Sequence, residues 1–205
     1  MRWLLAPYST MVVVLSEPEG GPRPHLHYAH ALLTHPPTLS TTPPRNSYGN
    51  AESNNKDDGA GTMECVYFGT WNATRSGWCG GAGLGPFFLA DLENGLWGCN
   101  ETNAVNPLVL PMNSEYAVGM VKGGDTQWGL KAGDAGRGPL VKTWEGPRPP
   151  GYQPMNKQGS VLLGIGGDNS DTAVGVWFEG VLTSGYTTDA VDEQLMADIV
   201  GAYGK

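Results

Sequence analysis

Glycine interrupts nearly every apolar run in this chain. The 31 glycines are spread among aromatic and β-branched stretches, and with 16 prolines they approach a quarter of the 205 residues. Glycine supplies the backbone angles of tight turns and weakens helix interiors. A chain punctuated this often therefore reads as many short strands joined by turns, within one domain of ordinary size. Apolar runs mark strands at residues 62–68, 86–93, 116–122, 126–131, 160–165 and 172–182. Asn94-Gly95, between the second run and Leu96-Trp97, is the strongest short hairpin signal. Gly123-Gly124-Asp125 marks a second hairpin. One helix closes the chain, with Thr187, Thr188 or Asp189 as its cap. Val191, Leu195, Ile199, Val200 and Tyr203 form its apolar stripe. The pattern is all-β, a two-sheet sandwich of jelly-roll type with a short C-terminal helix.

Residues 1–45 differ in character and are expected to be poorly ordered or unrelated to the rest. Residues 17–45 are rich in Pro, His and Thr and have no helical or strand period. Met1-Arg2 and the run to Leu15 loosely resemble a secretion leader, although Pro7 interrupts the run and no small-x-small site follows. That run is too short and too broken to span a membrane. The net charge is −8 with no basic patch, which argues against nucleic acid as a partner. Cys65, Cys79 and Cys99 lack metal-ligand spacing, and the odd count leaves at least one unpaired within the chain. Cys79 and Cys99 flank the 86–93 strand, so they are one candidate pair. Asn72-Ala73-Thr74 and Asn100-Glu101-Thr102 are glycosylation triplets, which fits a secreted protein. Each of the seven tryptophans has two uses, core packing or stacking on a sugar ring.

Two acidic motifs stand out. Strand alternation places Asp91 and Glu93 on one face with Leu89, and Phe88, Ala90 and Leu92 on the other. From the pattern alone, a solvated face is the simpler reading of that acidic pair. In Gly164-Ile165-Gly166-Gly167-Asp168-Asn169 an apolar run ends in glycines and an acid. Such glycines let a ligand approach the backbone, and an Asp-Asn turn is the simpler reading. Taken together, the two motifs supply the pair of carboxyl groups that glycoside hydrolysis requires.

The stretches Tyr48-Gly49-Asn50-Ala51-Glu52, Gly59-Ala60-Gly61-Thr62-Met63-Glu64, Asp91-Leu92-Glu93-Asn94, Val121-Lys122-Gly123-Gly124, Gly166-Gly167-Asp168-Asn169-Ser170 and Phe178-Glu179-Gly180 occur in this order. In that order they resemble the catalytic domain of glycoside hydrolase family 54, the α-L-arabinofuranosidase B type. The resemblance implies a concanavalin A-like β-sandwich, partial over residues 46–205, and a retaining mechanism. It puts the nucleophile at Glu93 and the general acid/base at Asp168. Asp91, Asn94, Gly167 and Trp78 then match residues that contact the sugar. Glu64 matches a family position for which buried structural and catalytic-helper roles both stand. The implied substrate is the terminal arabinofuranosyl group of plant cell-wall arabinoxylan or arabinan. No metal or cofactor is implied, and a secreted monomer is expected.

The chain also departs from the family pattern. Arg45-Asn46-Ser47 stands where the family has two adjacent cysteines before Tyr-Gly-Asn. The family's upstream half and its β-trefoil are not matched, so an incomplete core is expected. A sugar-binding module without catalysis and an inactive fragment are the alternatives to an active enzyme.

Overall fold

The computed structural model describes residues 9–16, 45–48, 64–69, 77–92, 95–152 and 176–204. In these residues the glycine-punctuated runs become β1 (Ser9–Ser16), β2 (Arg45–Tyr48), β3 (Glu64–Gly69), β4 (Cys79–Gly81), β5 (Phe87–Asp91), β6 (Leu96–Trp97), β7 (Ala104–Asn106), β8 (Tyr116–Gly123), β9 (Trp128–Asp134), β10 (Val141–Gly146) and β11 (Val176–Ser184). Helix α1 (Asp189–Tyr203) follows them. The strands form two sheets, ordered β10-β9-β8-β1-β11 and β2-β3-β5-β6-β4-β7. The first is antiparallel throughout, whereas β4 runs parallel to both β6 and β7. The architecture is the β-sandwich expected from the pattern.

The sheets meet where β8 faces β3 and β9 faces β5. Phe88 and Ala90 of β5 and Ala117, Val121, Trp128 and Leu130 of β8 and β9 share one buried cluster. Gly119 sits under the Phe88 ring, where a Cβ would lie 2.2 Å from a ring carbon. A side chain there would separate the sheets. Asn106 closes one border of the sandwich. Its side-chain nitrogen donates to the Gly98 and Thr143 carbonyls at 2.6 and 2.8 Å, and its oxygen accepts from the Leu108 N–H. Every hydrogen-bonding group of this buried amide is engaged, as burial demands.

The other face of β8 and β9 carries α1. Tyr116, Val118, Met120, Met196 and Ile199 form a second buried cluster. Beside it lies a charged cluster. Lys122, 1% exposed, meets the Asp192 carboxylate at 2.7 Å, and Lys131 meets it at 2.6 Å. Lys131 and Lys142 both reach Asp189, Thr187 donates to Asp192, and Lys122 also lies over the Tyr186 ring. Burial works against the Asp192 charge, but hydrogen bonds from Lys122, Lys131 and Thr187 outweigh it and hold its carboxyl below the ordinary range. Hydrogen bonds from Lys131 and Lys142 lower the Asp189 carboxyl to about 2.

Several elements differ from the sequence reading. Ser9–Ser16, placed within the poorly ordered segment 1–45, forms β1 between β8 and β11. Its Met-Val-Val-Val-Leu run is as β-prone as it is leader-like. The helix cap is Thr188, which accepts from the Val191 N–H. The helix buries Asp192, Met196 and Ile199, while Val191 is 50% exposed. Leu195, Ile199, Val200 and Tyr203 of the expected stripe pack on the cluster, and at its N-terminal end two buried lysines draw Asp192 inward where Val191 was expected. The run at residues 160–165 lies outside the described residues.

Replacing Asp192 by Ala leaves two lysines buried without their shared partner. That variant should lose about 3–5 kcal/mol in denaturant unfolding. Both aspartates have folded-state values below the ordinary one. Their stabilisation is therefore complete above about pH 4 and declines as pH falls through the folded values. A pH series of melting temperatures should show this loss, and D192A should blunt it.

Candidate functional site

The β5–β6 hairpin holds the first acidic motif. Ala90 pairs with Trp97 and Asp91 with Leu96, and the Leu92 N–H donates to the Gly95 carbonyl at 3.0 Å. The two strands therefore close around positions 93 and 94, as the Asn94-Gly95 signal led one to expect. Because Phe88 faces β8, alternation points Leu89 and Asp91 away from the other sheet. Cys65 of β3 lies opposite Asp91 on that same face.

That face is not solvated. All five residues of β5 are buried, and Asp91 is 2% exposed. The surface reading of Asp91 is thus overturned, because an acid placed this deep needs interactions to offset its desolvation. Cover comes from the segments on either side. A Cβ on Gly81 would meet the Phe87 ring and Val109, and one on Gly98 would meet Leu89.

Trp78 reaches the same hairpin at Gly95. A Cβ on Gly95 would lie 2.4 Å from Trp97 Nε1 and 2.9 Å from the Trp78 indole. Glycine at position 95 is what allows both indoles to close on the hairpin end. Trp97 in turn packs edge-on against Tyr152, with ring centroids 5.3 Å apart. Trp97 and Tyr152 were not singled out in the sequence, since one tryptophan among seven carries no mark of its place. Cys79, next to Trp78, is disulfide-bonded to Cys99 across a separation of 20 residues, while Cys65 is buried and outside that bond. The candidate pairing of Cys79 with Cys99 is the one the fold makes, and it encloses the whole of β5 and β6.

Glu64, left open between two roles, takes a structural one. It is 1% exposed, lies against Gly123, and meets Arg148 Nη2 at 2.7 Å. Arg148 Nη1 donates to the Gly124 and Gln127 carbonyls, so the pair fastens the β8–β9 turn to β3. Asn100 lies half-buried on the turn between β6 and β7. Glu93, Asn94, Gly167, Asp168 and Asn72 lie outside the described residues. An apolar cavity of about 220 Å³, lined by Leu108, Met112, Pro139 and Val141 among others, lies between residues 108–112 and strands β9 and β10. It holds none of the predicted site residues.

The described residues thus define a two-sheet β-sandwich with a buried acid and two indoles on one hairpin. Residues 45–204 match the family model described as alpha-L-arabinofuranosidase B, catalytic, and the chain belongs to that family. It is 44% identical over 159 residues to a probable alpha-L-arabinofuranosidase B of Aspergillus clavatus, covering 76% of this chain and 30% of that protein. It is 43% identical over 159 residues, with the same coverage, to an alpha-L-arabinofuranosidase of Hypocrea jecorina. Among solved structures it is similar to a GH54 α-L-arabinofuranosidase soaked with a cyclic sulfate inhibitor. The TM-score there is 0.74 and the identity 32%, over 97% of this chain and 37% of that one. An arabinofuranosidase complexed with arabinofuranosyl-alpha-1,2-xylobiose matches with a TM-score of 0.73, the same identity and the same coverage. The chain thus spans about a third of the length of the relatives it matches.

The disulfide constrains the unfolded chain around the hairpin. Replacing both Cys79 and Cys99 by Ser should cost about 3 kcal/mol for a loop of this size, read as a lower denaturant midpoint than that of the oxidised chain.

Proposed function

We propose that this chain is a secreted, retaining glycoside hydrolase that releases terminal α-L-arabinofuranosyl groups from arabinoxylan or arabinan. The observation that carries the reading is the burial of Asp91 in Asp91-Leu92-Glu93-Asn94, on the hairpin whose end Trp78 approaches at Gly95. Family membership supports it, as does the relative solved with an arabinofuranosyl-xylobiose.

In this reading Glu93 attacks the anomeric carbon and forms a covalent arabinosyl-enzyme. Asp168 protonates the departing oxygen, then takes a proton from the water that releases the sugar. Asp91 and Asn94 hold the sugar hydroxyls, the Gly167 backbone contacts the ring, and Trp78 forms an apolar wall. The mechanism requires Asp168 to carry its proton before attack and Glu93 to be ionised.

The test is hydrolysis of 4-nitrophenyl α-L-arabinofuranoside by the chain, beside Glu93→Gln and Asp168→Asn. Wild-type turnover should fall about 10²–10⁴-fold in Asp168→Asn, and Glu93→Gln should lose the covalent route altogether. A cooperatively unfolding wild type with no turnover would overturn the reading and leave a sugar-binding module or an inactive fragment.

A further inference from the structure

The turn between β6 and β7 carries a feature that hydrolysis does not use. Asn100-Glu101-Thr102 is an acceptor triplet for N-linked glycosylation, with a non-proline residue in the middle. Glu101, Thr102 and Asn103 are exposed and Asn100 is half-buried. Both ends of the turn are fastened to the strand below. The Gly98 N–H donates to the Cys79 carbonyl at 2.8 Å, and the Asn103 N–H donates to the Gly77 carbonyl at 3.1 Å. The triplet therefore stands out from a fixed base, and among the described residues no element folds over Glu101 or Thr102.

The second observation is chemical and independent of the triplet. Cys99, next to Asn100, is oxidised to a disulfide with Cys79. Disulfides form and persist in the oxidising secretory lumen, which is also where Asn-X-Thr triplets receive their sugar. A sequence triplet alone arises often by chance. An exposed triplet beside a disulfide meets both the access and the compartment requirements.

We infer that Asn100 is a site of N-linked glycosylation. The donor is an oligosaccharide held on a lipid diphosphate. The Asn100 side-chain nitrogen bonds to the first sugar's anomeric carbon, the carbon–oxygen bond to the diphosphate breaks, and the nitrogen gives up one proton. No oxidant or reductant is consumed. The glycan projects from the segment bonded to Gly77 and Cys79, on the solvent side of the disulfide.

The test is expression of the full chain behind a cleavable secretion leader in a eukaryotic host. An Asn72→Gln background leaves Asn100 in the remaining triplet. Amidase release of the glycan in heavy-oxygen water should convert Asn100 to labelled aspartate in its peptide. Asn100→Gln and Thr102→Ala should each remove one glycan's mass from the intact chain. Chain retained inside the cell is read in the same way from its lumenal fraction. Recovery of the Asn100 peptide unmodified from chain with the Cys79–Cys99 bond formed would overturn the inference. So would recovery of lumenal chain with both thiols reduced.

Discussion

Every residue of β8 is buried, and because its side chains alternate, the strand belongs to two cores at once. On one side Ala117, Gly119, Val121 and Gly123 meet the second sheet. On the other Tyr116, Val118, Met120 and Lys122 meet the helix. Neither layer can shift without disturbing the other. Gly119 sets the sheet separation at Phe88, and Gly123 leaves the space that Glu64 fills beside Arg148. Lys122 is the costly member, since a buried ammonium is tolerated when its partner is held in place. The Asp192 carboxylate, held as well by Lys131 and Thr187, meets that condition. The helix docks as much for that carboxylate as for Met196 and Ile199.

The same economy of polar groups recurs at the borders of the sandwich. Asn106 uses both donors and its acceptor to join β7, the Gly98 carbonyl and β10. Arg148 spends its guanidinium on Glu64 and two turn carbonyls. In each case one side chain closes a gap where the strands stop supplying backbone partners. The border fastenings lie apart from the β5–β6 hairpin, where the disulfide does the equivalent work by joining Cys79 to Cys99 around it.

Much of this was legible in the sequence. Long apolar runs with turn residues between them located β3, β5, β8, β9 and β11, and Asn94-Gly95 located a hairpin. The ordered motifs located the family. What escaped has physical reasons. β4 and β7 are three residues each, too short for any period to show. β1 carries an apolar run that a leader would also carry, and what marks it as a strand is pairing with β8 and β11, more than a hundred positions away. Four of the five residues of the predicted helix stripe face the core, and only Val191 turns out, where charge pairing brings Asp192 inward. The burial of Asp91 could not be read from the strand pattern, because alternation tells which residues share a face and not whether that face is covered. Glu93 and Asp168 are candidates through motif order alone, and they lie outside the described residues.

Stability and the candidate site fall on different faces of the molecule. The ion cluster and the helix occupy the outer face of the five-stranded sheet, while Asp91 and Cys65 share the outer face of the six-stranded one. Between them lies the apolar layer around Phe88, Val121 and Trp128. Charges separated by such a layer are coupled mainly through the packing that positions them, because direct interaction falls with distance and is screened wherever water intervenes. A change at Asp192 should therefore act on the population of folded chain, leaving the chemistry of the folded fraction alone. A change at Gly95 acts the other way. A methyl group there presses on Trp78 and Trp97 at the hairpin end without touching the helix layer. The fold thus separates what holds the sandwich together from what the hairpin presents, and β8 is the strand on which the two meet.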